Sequence, residues 1–137
     1  MARILIIDDS VSILAFMEQA LTSAGHRVIS FSSGERGIET LKSTPVDLMI
    51  TDIYMPDLDG MEIMRAFRRL KLNLPVIAIS SKMGALGMNK MARAMGAWDT
   101  LCKPFNAAQL IAAVDKALQT PVNPNPSLLA NSTPKQA

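Results

Sequence analysis

The sequence predicts an α/β fold: a five-stranded parallel sheet, doubly wound in five strand–helix units, with strand order 2-1-3-4-5. Two observations carry this. Short runs rich in apolar residues at positions 4–7, 27–31, 46–51, 75–79 and 98–102 alternate with stretches of helical periodicity, the pattern of repeated βαβ units around one parallel sheet. The runs Ile4-Leu5-Ile6-Ile7 and Leu48-Met49-Ile50 are continuously apolar, as strands covered on both faces require. Right-handed crossovers leave few arrangements of such units. The order 2-1-3-4-5 makes the first and third strands neighbours across a switch point, and ligands of open α/β sheets bind there, beyond the carboxyl ends of the strands.

The first strand ends in Asp8-Asp9-Ser10. From Val11 the apolar positions Val11, Leu14, Ala15, Met17, Leu21 and Ala24 recur at helical spacing, and Gly25 stops the helix. After the strand at 27–31, Ser32 and Glu35 stand three apart and offer a capping box for a helix over about 34–42, with Ile38 and Leu41 as its apolar stripe. Pro45 punctuates the start of the third strand, which ends in Thr51-Asp52 and a turn-rich Met55-Pro56-Asp57-Leu58-Asp59-Gly60. The helix over 61–71 buries Ile63, Met64, Phe67 and Leu70 and turns Arg65, Arg68 and Arg69 outward. The fourth strand ends in Ser80-Ser81-Lys82, and a fourth helix follows over 84–95, closed by Gly96. The fifth strand ends in Lys103-Pro104-Phe105. Asn106 with Gln109 then forms a capping box for a fifth helix carrying Leu110, Ile111, Val114 and Leu118. Residues 1–120 are expected to form one domain, and the Pro- and Asn-rich residues 121–137 a disordered tail or linker.

Composition narrows the function. A chain of 137 residues with 49% apolar and 19% charged residues has the balance of one globular domain. A net charge of +2 without a Lys/Arg run argues against direct nucleic-acid binding. Cys102 is the sole cysteine, which excludes an internal disulfide. The first apolar run meets Asp8-Asp9 too early to be a signal peptide or a membrane span. The expectation is a cytoplasmic protein without a membrane partner.

The chemistry lies at the carboxyl edge. Asp8, Asp9 and Asp52 meet there, and like charges about 4 Å apart repel by roughly 4 kcal/mol per pair at an effective dielectric near 20. Either a carboxyl protonates or a cation binds. Oxygen ligands on a partly open rim suit Mg²⁺, which keeps several waters; Mn²⁺ is also possible. Ser80 adds a hydroxyl and Lys103 a compact cation on a flexible stem. A carboxylate nucleophile, a divalent metal, a hydroxyl and an ammonium are what phosphoryl transfer to Asp requires.

Asp8-Asp9, Asp52 followed by Met55-Pro56 and Asp59-Gly60, Ser80, and Lys103-Pro104-Phe105 resemble, in order and spacing, the receiver-domain motifs of two-component response regulators. The similarity is to the single-domain, chemotaxis-regulator-like kind and covers about residues 3–119. It implies a flavodoxin-like (βα)5 fold with Asp52 as phosphoacceptor. It further implies Mg²⁺ ligation by Asp9 and Asp52, by Asp8 mostly through a metal-bound water, and by the backbone carbonyl of Tyr54. Ser80 would contact the phosphoryl group and Lys103 one of its oxygens, with a cis bond before Pro104 common in the family. The implied donors are a sensor histidine kinase, a phosphotransfer protein or a small acyl phosphate. The implied output face is the fourth helix, fifth strand and fifth helix. Tyr54 and Lys82 stand where the family tunes dephosphorylation. Thr100 departs from the pattern, because the family usually has Tyr or Phe there, turning inward on activation.

Other residues are expected to be structural: Asp57 and Asp59 as turn formers, His26 as exposed and inert, and Cys102 as core. The preferred function is a stand-alone signalling module that switches a protein-interaction surface, not an enzyme with a turned-over substrate. A receiver portion of a larger regulator or hybrid kinase is the first alternative. A flavodoxin-like FMN carrier is another, but Asp8-Asp9 would repel the phosphate of that cofactor. A phosphatase with an Asp nucleophile would place its acids as DxD, and here they are adjacent.

Overall fold

Apolar side chains in β1 (Arg3–Ile7) alternate between two faces, and the rest of the sheet follows from that division. Leu5 and Ile7 face one core and Ile4 and Ile6 the other, all fully buried. The computed structural model describes residues 1–53, 60–71, 73–81 and 97–119. β1, β2 (Arg27–Phe31), β3 (Leu48–Asp52), β4 (Val76–Ser81) and β5 (Asp99–Lys103) form one parallel sheet in the order β2-β1-β3-β4-β5. The helices are α1 (Val11–Ser23), α2 (Gly34–Leu41), α3 (Gly60–Leu70) and α4 (Ala107–Gln119). α4 is the helix the sequence places fifth. The helix expected over 84–95, the turn with Tyr54, Asp57 and Asp59, Lys82, and the tail 121–137 lie outside the described residues.

Below one face, Leu5, Ile7, Met49, Val76 and Ala78 pack against Ile38 and Leu41 of α2 and Ile63, Met64 and Phe67 of α3. Below the other, Ile4, Ile6, Leu48, Ile50, Ile77 and Ile79 pack against α1 and α4 through Leu14, Met17, Leu21, Leu110 and Val114. Fully burying each such large side chain is worth about 1.5–3 kcal/mol. The central strands are therefore the most firmly held part of the molecule.

Register positions the site. Ile7 pairs with Thr51, so Asp8 and Asp52 follow side by side on neighbouring strands. Asp52 pairs in turn with Ile79, and Ser81 with Lys103. The strands extend further toward this edge than the apolar runs do. Asp52, Ser80, Ser81 and Lys103 all belong to the ladder, because backbone pairing does not stop where side chains turn polar.

Helix ends refine the expectations. Ser10 caps α1, its hydroxyl accepting from Ile13 N at 3.3 Å. α2 begins at Gly34, so its cap is Ser33, which accepts from Arg36 N, and not the expected Ser32. Asn106 and Gln109 form the expected box at α4, Asn106 N donating to Gln109 Oε1 at 2.9 Å and Gln109 N to Asn106 Oδ1 at 2.7 Å. Gly25, at φ +95°, turns the chain out of α1 in a conformation that side chains disfavour. That turn folds His26 back on the start of β1. It is half-buried, not exposed, and its Nδ1 accepts the Ala2 N–H at 3.1 Å. Val11 and Ala15 are exposed despite fitting the helical period. Cys102 is half-buried, its thiol donating to the Lys103 carbonyl. Among the described residues no helix is long and apolar enough to cross a membrane.

Candidate functional site

Four strand ends converge at the carboxyl edge. Asp8 is fully buried just beyond β1, Asp52 closes β3 at 4% exposure, and Ser80 is fully buried on β4. Lys103, the last residue of β5, reaches back across the edge with its side chain 24% exposed. Its Nζ donates to Asp52 Oδ2 at 2.9 Å and lies 3.1 Å from Asp8 Oδ2. One ammonium thus bridges two buried carboxylates. The Lys103–Pro104 peptide bond is cis.

Backbone groups hold the acids in place. The Ser10 N–H donates to Asp8 Oδ1 at 2.9 Å, an Asx-type closure in which a carboxylate binds the amide two residues on. Sequence reasoning missed this role of Ser10, although the Asp-x-Ser spacing signals it. Thr51 Oγ1 donates to the Asp52 carbonyl at 3.0 Å. Asp9 is exposed and points to the rim.

The electrostatics are unbalanced. Burial pushes the Asp8 carboxyl above the ordinary carboxylate range, and the neighbouring Asp52 charge adds to that, against the Ser10 amide and Lys103. Burial alone would lower Lys103, but its bonds to Asp52 and Asp8 outweigh it and hold the ammonium above the usual lysine range. Asp8 Oδ2 is paired with Lys103 by charge, yet it is buried without an aligned hydrogen bond. Such an oxygen has unused acceptor capacity. One ligand atom from each of Asp8, Asp9 and Asp52 lies within 4.8 Å of the others. Two buried carboxylates, a third at the rim and an under-satisfied oxygen between them fit a hard, oxygen-liganded divalent cation.

The structure brings together Asp8, Asp9, Asp52 and Lys103, with Ser80 on the intervening strand end. Thr100 lies further back on β5, half-buried opposite Ala78 and on the face covered by α2 and α3. Tyr54 and Lys82 are outside the described residues.

The comparisons agree with this geometry. The response regulator receiver domain family matches residues 4–115. The chain is 32% identical over 118 residues to the response regulator receiver protein CpdR of Brucella abortus (strain 2308), covering 86% of this chain and 98% of that protein. It is 31% identical over 118 residues to the transcriptional regulatory protein GlrR of Escherichia coli (strain K12), with 86% of this chain but 26% of GlrR covered. It thus spans nearly all of one relative and about a quarter of the other. Among solved structures, a receiver domain protein from Clostridium thermocellum superposes with a TM-score of 0.79 at 32% identity, covering 86% of this chain and 94% of that one. Fold, acidic edge and family match coincide over the same stretch, and the chain belongs to the response regulator receiver domain family of two-component systems.

Proposed function

We propose that this chain is a phosphorylation-controlled signalling module in which Asp52 accepts a phosphoryl group. The Asp52 carboxylate attacks phosphorus, the bond from phosphorus to the donor nitrogen or oxygen breaks, and its electron pair leaves with the donor. Lys103 then exchanges its bond with Asp52 Oδ2 for one with a phosphoryl oxygen, neutralising charge that grows there. Ser80 supplies a hydroxyl to the same group. Asp8, Asp9, Asp52 and the Tyr54 carbonyl would hold Mg²⁺, or Mn²⁺ in its place, which supplies positive charge to the phosphoryl oxygens. Thr100, Tyr54 and Lys82 tune the lifetime of the mark and the response to it.

The observation that carries this is the Lys103 ammonium bridging buried Asp8 and Asp52 beside a third carboxylate. Phosphoryl donors are a sensor histidine kinase, a phosphotransfer protein or a small acyl phosphate. Val11, 74% exposed at the start of α1 beside the acidic edge, and Phe16, 37% exposed and tilted against Phe105 at 6.0 Å between ring centroids, are exposed apolar side chains that support docking of a protein donor at this end of α1. The output is a shift between two surface populations, read by a downstream protein at the face of β5, α4 and the helix expected over residues 84–95. Residues 1–120 form the receiver and 121–137 a tail or linker. The protein works in the cytoplasm without binding nucleic acid or membrane itself. Coverage of nearly the whole of CpdR supports a stand-alone module; the same coverage as a quarter of GlrR keeps a receiver of a longer regulator as the second reading.

Incubation with Mg²⁺ and acetyl phosphate followed by intact-mass measurement tests this. A phosphate-sized gain that needs the metal and is lost in Asp52→Asn is expected. The same gain in Asp52→Asn would place the reaction elsewhere, and a yellow flavin absorbance in the purified protein would overturn the signalling function.

A further inference from the structure

If Asp8, Asp9 and Asp52 hold a divalent cation, as proposed above, the end of β1 must be fixed closely, because Mg²⁺ demands near-ideal octahedral geometry. Asp8 N donates to Phe31 O at 3.1 Å on one side, and Ser10 N holds the Asp8 carboxylate on another. The third support comes from α2. A β-carbon built on Gly37 would stand 2.5 Å from Ile7 Cδ1 and 2.7 Å from Ile7 Cγ1, far inside the roughly 3.5–4.0 Å of normal carbon contact. The δ-methyl of Ile7 fills the space a side chain at position 37 would take.

Ile7 has nowhere to go. Its β-branched side chain is stiff, and it is fully buried among Ile38, Leu41 and Ile63. Glycine inside a helix costs about 1 kcal/mol relative to alanine, so Gly37 in the middle of the eight-residue α2 needs a reason. Close approach to the residue just before Asp8 supplies one. We propose that Gly37 is a positioning residue for the acidic site: its missing side chain lets α2 bear directly on Ile7 and so fixes the strand end from which Asp8 and Asp9 project.

The test titrates Mg²⁺ alone into the full chain by calorimetry, with urea unfolding in EDTA measured alongside. Gly37→Ala is expected to weaken Mg²⁺ binding by about tenfold, the scale of losing an outer support of a metal ligand. Ile7→Val, which leaves a gap over Gly37, is expected to weaken it several-fold. The double variant Ile7→Ala/Gly37→Ala removes both Ile7 atoms that a β-carbon at position 37 would strike and leaves Ile7 Cβ at 3.9 Å, and it is expected to bind Mg²⁺ more tightly than Gly37→Ala. Gly37→Ala that loses stability but keeps its affinity would show that α2 lifts without moving the strand, and would overturn the proposal. A double variant that binds no more tightly than Gly37→Ala would do the same. Should Gly37→Ala not fold, Ile7→Val decides alone: affinity equal to wild type overturns the proposal, and a several-fold loss supports it. Failure of the underlying site looks different. Wild-type protein that binds no Mg²⁺, or Asp9→Asn that binds it as wild type does, removes the cation site and the proposal with it.

Discussion

Lys103→Met isolates the electrostatic debt of the acidic edge. Methionine keeps most of the stem and its packing and removes only the ammonium, which stands 2.9 Å from Asp52 Oδ2 and 3.1 Å from Asp8 Oδ2. Both carboxylates are almost wholly shielded, with side-chain exposures of 0% and 5%. Breaking a buried pair by removing one partner costs about 3–5 kcal/mol, and the two acids left behind repel by roughly 4 kcal/mol at about 4 Å and an effective dielectric near 20. These overlap as one effect and are not summed, since both arise from the same two uncompensated acids. Residual exposure of Lys103 in the wild type also lets water screen the pair, so a loss of about 3 kcal/mol at neutral pH is expected. The sign of the pH dependence follows from Asp8, whose carboxyl is already raised by burial. With the ammonium gone it rises further, so the deficit shrinks as pH falls through that raised value. Urea unfolding in EDTA measures the loss. Saturating Mg²⁺ stabilises whichever form binds it, by about 2.7 kcal/mol at roughly a hundred times the dissociation constant. The variant should gain more from it than wild type, because no ammonium competes for the same oxygens. A loss under about 1 kcal/mol in EDTA, or equal gains from Mg²⁺ in both proteins, would refute the bridge as the neutraliser of these acids.

Two further substitutions probe parts of the fold that sequence patterns treat differently. His26→Ala strands the N–H of Ala2, which is 7% exposed, and should cost about 1–3 kcal/mol in urea unfolding; a change within about 0.5 kcal/mol would mean the residue is a surface ornament after all. Asn106→Ala removes the Oδ1 that accepts from Gln109 N and leaves the backbone half of the capping box on α4; it should cost about 1 kcal/mol with Mg²⁺ affinity unchanged, as seen by the same denaturation and calorimetry.

The strands and the acidic edge were legible because both rest on strong, short-range rules. Continuous apolar runs such as Ile4-Leu5-Ile6-Ile7 have few folded solutions, and acids placed directly after them are too expensive to be incidental. What escaped depends on contacts between distant segments. Val11 fits the helical period of α1 yet is 74% exposed, because the period says which residues share a face and not where along the helix its covering ends. His26 looks like loop surface until the Gly25 turn brings it to Ala2. Ser32 is favoured on paper by its spacing to Glu35, but α2 starts at Gly34 and so takes Ser33 as its cap. Gly37 reads as a weak helix position, and its meaning appears only when Ile7 is seen filling the space beside it.

Thr100 carries the remaining consequence. A switch by rotation of an aromatic ring needs a ring on the face where Thr100 stands, opposite Ala78 and over the core shared with α2 and α3. The aromatics flanking β5 are on the other side. Trp98 packs into the core of α1 and α4, beneath the Lys116 ammonium at 6.0 Å, and Phe105 meets Phe16 of α1. Neither can replace the missing ring without crossing the sheet. Under the proposed function, differential stabilisation would then act through the described groups that touch the phosphoryl position itself. If Asp52 is phosphorylated as proposed, Lys103 would contribute most, since it is tied to two acids beforehand and would be drawn to phosphoryl oxygens afterwards. Lys103 pairs with Ser81 in the ladder, so under that proposal a backbone shift at Lys103 would reach β4 as well as β5, a route that needs no aromatic side chain at position 100.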